Sequence, residues 1–94
     1  MERPYYVYIL KCSDDTFYIG ITNCLSKRLA AHNRGVASKY TRTRLPVRYC
    51  YYEQVPNRSS ALKREIQMKK LSRKQKESLV AQRGDQIDVD PKKL

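Results

Sequence analysis

Two tyrosines, an arginine, a histidine and a glutamate are the residues of this chain whose types and spacing could do chemistry together. Tyr8 and Tyr18 lie ten residues apart in two short apolar segments, and Arg28 and His32 follow at helical spacing. Residues 16–76 contain fifteen lysines and arginines but only two acids, one of which is Glu65. A carboxylate in so basic a field is a candidate ligand for a divalent cation.

These residue types match the needs of metal-assisted phosphodiester cleavage. Glu65 could hold one Mg²⁺, with water in the remaining octahedral positions. Arg28 could stabilise the negative charge of the transition state, and a tyrosine or His32 could take the proton of an attacking water. Taken singly, each residue is more often structural, as when tyrosines cover a sheet face or a glutamate pairs with a lysine one turn away. The prediction therefore rests on their combination.

The two tyrosines are expected on a β-hairpin. Residues 5–10 and 17–22 are rich in aromatic and β-branched side chains, and residues 13–16 have turn chemistry. An even-length loop would put Tyr8 and Tyr18 on opposite faces of the hairpin, whereas an odd-length loop or a bulge puts them on the same face. We predict the odd-length loop, because it gathers both tyrosines beside the helix that follows.

The arginine and the histidine are expected on that first helix. The sequence predicts a helix over residues 24–34, with Thr22 or Asn23 as the N-cap and Gly35 just past its end. Residues four apart lie one turn apart on one side of a helix, so Arg28 and His32 should share a side.

Residues 36–45 are predicted to form a polar, basic loop that contacts phosphates. Hydroxyl and cationic side chains alternate along it, which is typical of segments that hold a nucleic-acid backbone. A long exposed loop without function is the alternative. The residues that we predict to bind nucleic acid, in this loop and on the helix before it, are Lys27, Arg34, Lys39, Tyr40, Thr41, Arg42 and Arg44.

The second half of the chain is predicted to add one strand and two helices. Residues 47–53 read as the third strand and residues 59–70 as a helix, with Ala61, Leu62, Ile66 and Met68 facing the sheet. A capping-box pattern at residues 72–75 starts a last helix that ends near residue 84. The expected fold is α+β, a three-stranded antiparallel sheet flanked by helices in the order β-β-α-β-α-α. We expect one domain over residues 1–83 and a flexible tail over residues 84–94.

Composition favours a nucleic-acid partner. The chain has 94 residues and a net charge of +11, with its cations spread over all predicted elements. Such a surface fits a polyanion, although a basic face that only keeps the protein soluble is the alternative. No apolar run approaches the ~20 residues that span a bilayer, and the N-terminus does not resemble a signal peptide. We therefore expect a monomeric, cytoplasmic protein without a membrane partner.

Three cysteines, Cys12, Cys24 and Cys50, occur without a closely spaced pair. An odd count without a spacing pattern argues against a disulfide framework. A zinc site made with His32 would lack the short ligand pair that such sites usually have. We expect the cysteines to serve as small apolar residues.

The sequence resembles the GIY-YIG nuclease family. The residues that carry the resemblance are Tyr6-Val7-Tyr8 and Tyr18-Ile19-Gly20, followed by Arg28, His32 and Glu65. These match the family's paired motif, its helix arginine, a tyrosine or histidine one turn later, and its metal-binding glutamate. The similarity runs from Tyr5 to about Leu79 and extends to the small stand-alone GIY-YIG proteins of bacteria.

The resemblance implies a DNA substrate, a single Mg²⁺ or Mn²⁺, catalytic roles for Tyr8, Tyr18, Arg28 and His32, and a metal-binding role for Glu65. Tyr6 replaces the first glycine of the family motif. Ile21 stands where several active members have a lysine near the tyrosines, so Arg28 or His32 is expected to assist them instead.

Three functions follow as hypotheses. The leading one is an endonuclease that hydrolyses branched, damaged or single-stranded DNA in repair or recombination. The second is a nucleic-acid-binding module of the same fold with weak or no catalysis. The third is a scaffold of a larger assembly that uses exposed aromatic residues such as Tyr49, Tyr51 and Tyr52.

Overall fold

A computed structural model describes residues 4–82 of the chain. Three strands and four helices follow one another, and the order agrees with the expected one except for an extra short helix, α2, between α1 and β3. The elements are β1 (Tyr5–Lys11), β2 (Phe17–Thr22), α1 (Leu25–Asn33), α2 (Lys39–Arg42), β3 (Arg48–Val55), α3 (Arg58–Lys69) and α4 (Arg73–Gln82).

The strands form one antiparallel sheet in the order β2-β1-β3, which confirms the predicted fold class. Five residues separate β1 from β2, and Asp15 in this loop takes a positive φ of 66°. The loop is odd in length, as predicted. Tyr8 therefore lies opposite Gly20 and Leu10 lies opposite Tyr18, which places both tyrosines on one face of the sheet.

A bulge in β3 adjusts the second half of the sheet. Ile9 pairs with Tyr51 and Leu10 pairs with Tyr49, so Cys50 is an extra residue in β3. Cys50 and Tyr51 consequently both belong to the cluster on one face, whereas Tyr49 belongs to the cluster on the other.

Each face of the sheet has its own buried cluster. We call the face toward α1 the tyrosine face; Tyr8, Leu10, Tyr18 and Tyr49 lie on it and pack with Leu25 of α1. We call the opposite face the aliphatic face; Val7, Ile9 and Ile19 lie on it and pack with Ala61 and Met68 of α3. Alternate residues of the same strands thus build two different interiors.

The first helix begins one residue later than expected. Cys24 is its N-cap, without a side-chain capping bond, so the prediction of Thr22 or Asn23 at that position is wrong. The Thr22 hydroxyl oxygen accepts a hydrogen bond from the Cys24 amide at 3.1 Å, and so shapes the approach to the helix. Gly35 follows the helix with φ +79°, which confirms its predicted place.

The helix α3 buries only part of the side that was expected to face the sheet. Its N-cap is Asn57, whose side chain accepts from the Ser60 amide at 2.9 Å. Ala61 and Met68 are fully buried, as predicted, but Leu62 is 38% exposed and Ile66 is 56% exposed. The prediction that Leu62 and Ile66 face the sheet is therefore wrong.

The helix α4 starts with the predicted capping box. Gln75 Oε1 accepts from the Ser72 amide at 2.9 Å, and Ser72 Oγ accepts from the Gln75 amide at 3.2 Å. The predicted end of this helix near residue 84 and the predicted flexible tail, residues 84–94, lie outside the described residues. Within residues 4–82, no helix is long and apolar enough to cross a membrane.

The burial of the cysteines and of the β3 tyrosines tests two further predictions. Cys12 and Cys50 are buried free thiols, as expected for small apolar residues. The exposed aromatic surface expected for a scaffold is wrong for Tyr49 and Tyr51, because these residues are only 6% and 5% exposed.

Candidate active site

The helix that carries the predicted arginine and histidine is tied to β3 at both ends. The Tyr49 hydroxyl donates to the carbonyl of Leu25 at 2.7 Å, at the start of α1. At the other end, Asn33 Nδ2 donates to the carbonyl of Val47 at 3.0 Å, and Asn33 Oδ1 accepts from the Val47 amide at 2.8 Å. These bonds fix α1 over the tyrosine face, because both partners lie on or next to a strand.

Gly20 provides the space that Tyr8 occupies. A Cβ atom built at Gly20 would overlap the hydroxyl oxygen of Tyr8 and come within 2.6 Å of its ring carbon Cζ. Only glycine leaves room for a side chain that lies so close to the neighbouring strand. The glycine that follows Tyr18 and Ile19 in β2 is thus required by the tyrosine of β1.

Tyr8, Arg28 and His32 form one hydrogen-bonded chain in the interior. Arg28 Nε donates to the Tyr8 hydroxyl oxygen at 3.3 Å, and that hydroxyl lies 2.9 Å from His32 Nε2. On the far side of the imidazole, His32 Nδ1 lies 2.8 Å from Thr41 Oγ1. Tyr8, His32 and Thr41 are all fully buried.

Burial fixes the protons of this chain. Desolvation and then the nearby charge of Arg28 lower the pKa of His32 to about 4, so the imidazole is neutral at neutral pH. Burial raises the pKa of Tyr8 to about 12, against the lowering effect of the Arg28 hydrogen bond. A protonated Tyr8 that accepts from Arg28 can donate its own proton to His32 Nε2. A neutral imidazole then carries its proton on Nδ1 and donates it to Thr41.

Tyr18 lies beside this chain without joining it. Its ring meets the His32 ring edge-on, with centroids 5.3 Å apart, and lies nearly parallel to the Tyr40 ring at 6.0 Å. The side chain is half-buried. Among residues 4–82 its hydroxyl has no hydrogen-bond partner, so it is free to meet a substrate or a water.

Glu65 reaches this region from α3, which packs on β2 and β1 from the aliphatic side. Its carboxylate is 3.6 Å from Lys69 Nζ and its side chain is 18% exposed. Lys69 in turn lines a cavity together with Tyr18. The Glu65 charge is also one of the smaller causes that raise the pKa of Tyr8. Glu65 is thus an electrostatic neighbour of the chain, and within residues 4–82 it makes no hydrogen bond to Tyr8, Arg28 or His32.

Comparison with known proteins places this chain in a family. The profile of the GIY-YIG catalytic domain matches residues 4–78, which is most of the chain. The chain belongs to the GIY-YIG family.

Its relatives within this family are small proteins of similar length. A UPF0213 protein of Clostridium perfringens is 50% identical over 79 residues, covering 84% of this chain and 85% of that one. A UPF0213 protein of Listeria innocua is 44% identical over 84 residues, covering 89% and 93%. The predicted resemblance to small stand-alone GIY-YIG proteins is therefore confirmed.

Two solution NMR structures have the same fold. One is that of a UPF0213 protein from Bacillus halodurans, with 38% identity, 88% coverage of both chains and a TM-score of 0.57. The other is that of a protein from E. faecalis, with 42% identity, coverage of 87% of this chain and 90% of that one, and a TM-score of 0.58. Membership of the GIY-YIG family implies nucleic acid as the general class of substrate.

The structure shows where the two residues that depart from the GIY-YIG motif lie. Tyr6, in place of the first glycine, lies on the tyrosine face, where its ring meets the Tyr52 ring edge-on at 6.2 Å. Ile21 packs with the aliphatic cluster, on the side of β2 away from the tyrosines. A lysine at position 21 would therefore point away from Tyr8, to which Arg28 already donates.

The residues predicted to contact nucleic acid divide into four groups. Thr41 is fully buried and bonded to His32, so the prediction of a phosphate contact by its side chain is wrong. Arg44 is held in place by bonds to Asp14 Oδ2 at 3.0 Å and to the carbonyl of Tyr40 at 2.8 Å. Tyr40 is 37% exposed beside Tyr18. The remaining predicted residues are exposed: Lys27, Arg34, Lys39 and Arg42.

Sequence reasoning missed the structural importance of α2. Ser38 caps this four-residue helix by accepting from the amides of Tyr40 and Thr41. The cap turns Thr41 inward to His32 and leaves Tyr40 at the surface next to Tyr18. No sequence signal separates these two neighbours, because a helix this short has no apolar periodicity.

Proposed function

We propose that the protein is a metal-dependent DNA endonuclease that hydrolyses phosphodiesters at the tyrosine face. The observation that supports this most is the chain of hydrogen bonds that joins the half-buried Arg28 to the fully buried Tyr8 and His32. A phenol and an imidazole cost free energy to bury, and here they are linked to a guanidinium that can reach a substrate.

The donor set fits a weakly held Mg²⁺ or Mn²⁺. Among residues 4–82, no three His, Cys, Asp or Glu side chains come close enough to form a metal cage. Glu65 offers one carboxylate that is partly exposed to water, which is the usual protein share of a magnesium site completed by water and phosphate. A bound ion would supply charge neutralisation for the scissile phosphate and the leaving oxygen. Lys69 would have to leave the carboxylate first.

Arg28 is suited to bind the scissile phosphate. It uses Nε for Tyr8, and among residues 4–82 its Nη1 and Nη2 groups have no partner. The hydrogen bond to Tyr8 raises the pKa of Arg28, so its charge is retained. Two donors fixed in one plane match two phosphate oxygens and stabilise the charge that develops on them.

Tyr8 and His32 are suited to move a proton. Tyr8 is fully buried, so an attacking water must enter the space beside Arg28 to give its proton to the Tyr8 oxygen, whose own proton then passes to His32 Nε2, 2.9 Å away. A phosphate beside Arg28 adds negative charge, which opposes the effect that lowers the pKa of His32. Thr41 holds the imidazole in the orientation that this transfer needs, and Tyr18 can hold the water through its free hydroxyl.

The cleavage experiment compares two glutamates that occupy similar helical ion pairs. Nicked, flapped and forked DNA are incubated with the wild type, Glu65→Gln and Glu77→Gln in Mg²⁺ or Mn²⁺. Glu77 pairs with Arg73 four residues before it, much as Glu65 pairs with Lys69 four residues after it. We expect the wild type and Glu77→Gln to cut at least one substrate and Glu65→Gln to cut at least ~100-fold more slowly. Equal cleavage by both variants, or none by the wild type, refutes the proposal.

A nucleic-acid-binding module without catalysis is the second candidate. The observation that favours it is the Glu65–Lys69 pair, which neutralises the only predicted metal ligand. Salt-dependent DNA binding that persists in Glu65→Gln and Arg28→Ala, with no turnover by the wild type, would support this candidate over the first.

A further inference from the structure

A cavity of about 270 Å³ lies along β2, at the edge of the sheet next to the tyrosine face. This volume is slightly below the ~300–1,000 Å³ of pockets for drug-sized ligands, so the cavity suits a group as small as one nucleobase. Its lining combines aromatic, apolar and cationic side chains, namely Phe17, Tyr18, Ile19, Tyr40, Lys69 and Lys76.

The aromatic wall of the cavity is held in place before any ligand arrives. The Tyr18 and Tyr40 rings are inclined by only 23°. The Arg44 guanidinium lies 3.9 Å from the Tyr40 ring centroid, and Arg44 is itself bonded to Asp14 and to the carbonyl of Tyr40. Ordered rings of this kind bind a base at little entropic cost.

The cationic side of the cavity is suited to bind a phosphate group of the ligand. Lys69 is 57% exposed and lies 3.6 Å from the Glu65 carboxylate, so a phosphate drawn to Lys69 would arrive beside the proposed metal ligand. Lys76 adds a second ammonium from α4. Aromatic platforms beside a positively charged groove are typical of sites for single-stranded nucleic acid.

We propose that this cavity binds one unpaired nucleotide of a DNA strand, with its base against Tyr18 and Tyr40 and its phosphate at Lys69. The inference rests on the proposed function only in placing this nucleotide next to the cleaved bond. A paired base remains stacked in its duplex and must be extruded before it can enter such a pocket. The protein should therefore prefer single-stranded, flapped or frayed DNA to blunt duplex.

The test measures binding without cleavage. Fluorescence anisotropy is recorded in EDTA, in a Glu65→Gln background, with a single strand and with a blunt duplex of the same length. Tyr40→Ala and Tyr40→Leu should weaken binding of the single strand about tenfold, whereas Tyr40→Phe should keep it within about twofold. Duplex binding should change little, because Arg44 bonds to the main chain at Tyr40 and stays in place.

Two lysines of α4 provide a matched pair for the charge. Lys76 lines the cavity, whereas Lys74 is two residues away and so points to another side of the helix. Lys76→Ala should reduce the slope of log affinity against log salt concentration by about 0.7 for the single strand. Lys74→Ala should leave the preference of the protein for the single strand over the duplex unchanged.

Three outcomes overturn the proposal: Tyr40→Ala weakens single strand and duplex equally, Tyr40→Ala weakens neither, or the wild type binds neither. Equal losses with an RNA strand would overturn the assignment to DNA, and a mononucleotide bound as tightly as the strand would overturn the assignment to a strand. Failure of the proposed endonuclease activity can be distinguished from failure of the nucleotide site. A Tyr40 effect without any cleavage by the wild type leaves the nucleotide site standing, and cleavage without a Tyr40 effect removes only that site.

Discussion

The two faces of the sheet use alternate residues of the same strands, yet they bury different kinds of side chain. The aliphatic face buries mainly hydrocarbon, as at Val7, Ile9 and Met68, together with Tyr51, whose hydroxyl donates to Glu53. The tyrosine face buries a polar chain in which Tyr8 and His32 are fully enclosed. Burying polar groups is costly unless all of them are bonded, and among the described residues no buried side-chain nitrogen or oxygen lacks a partner. One face thus supplies the stability that lets the other hold reactive groups.

The largest effect should come from the aliphatic face. Ile9→Ala removes part of a fully buried side chain, and we expect the free energy of unfolding to fall by ~2–5 kcal/mol. Ile66→Ala is the matched control, because Ile66 is 56% exposed and its loss should change stability by less than about 0.5 kcal/mol. Urea denaturation of both variants checks this. Similar losses at the two positions would contradict the assignment of the aliphatic core.

The next effect is a pH dependence specific to the tyrosine face. The folded-state pKa of His32 is lowered to about 4, mainly by burial, whereas an unfolded histidine titrates near 6.5. Between these values the unfolded chain binds more protons than the folded one, so stability contributed by neutral His32 is lost as pH falls through this window. The total loss by pH 4 should be roughly 2–4 kcal/mol.

The pH effect is isolated by comparison with His32→Gln, since carboxylates titrate in the same window in both proteins. The difference between their unfolding free energies should shrink as pH falls from about 7 to 4. His32 is the only histidine of the chain, so its NMR titration is unambiguous. A folded-state midpoint near 6.5 would contradict the buried, neutral imidazole.

A smaller effect tests the contact between β1 and β2 on the tyrosine face. Gly20→Ala should destabilise the protein by ~1–3 kcal/mol, because its new Cβ overlaps Tyr8. In a Tyr8→Leu background, Gly20→Ala should lower the free energy of unfolding by a smaller amount. A double-mutant cycle should give a coupling of ~0.5–3 kcal/mol.

Gly35→Ala is the control for this cycle. Gly35 has a φ of +79°, so alanine there is strained by its own backbone. Its cost should be the same with and without Tyr8. Additive losses for Gly20 and Tyr8 would mean that Gly20 does not make room for that ring.

The sheet could be predicted because its signals are local. Alternating apolar residues predict the two strands, and the odd-length loop, predicted because it gathers Tyr8 and Tyr18 on one face, is confirmed by the register. The buried side of α3 could be predicted only in part, because the size of an apolar side chain does not decide whether it faces the sheet. Ala61 is fully buried where the helix meets the sheet, and the larger Leu62 and Ile66 are left partly exposed.

The site could be predicted only where helical spacing carries the information. Arg28 and His32 are one turn apart, and both meet Tyr8 as that spacing suggests. The role of Thr41 depends on the cap at Ser38 and on a contact with a distant imidazole. Contacts of this kind arise from tertiary packing, so the loop looked like a uniform phosphate-binding segment.

The most direct test of the account is the cleavage rate of flapped DNA by Tyr8→Phe. This change removes only the hydroxyl that links Arg28 to His32. We predict a rate ~10²- to 10⁴-fold below that of the wild type, in a protein whose unfolding free energy falls by only ~1–3 kcal/mol. Tyr52→Phe, opposite Tyr8 on β3, should cleave normally. Cleavage by Tyr8→Phe at the wild-type rate would contradict the claim that this chain performs the chemistry.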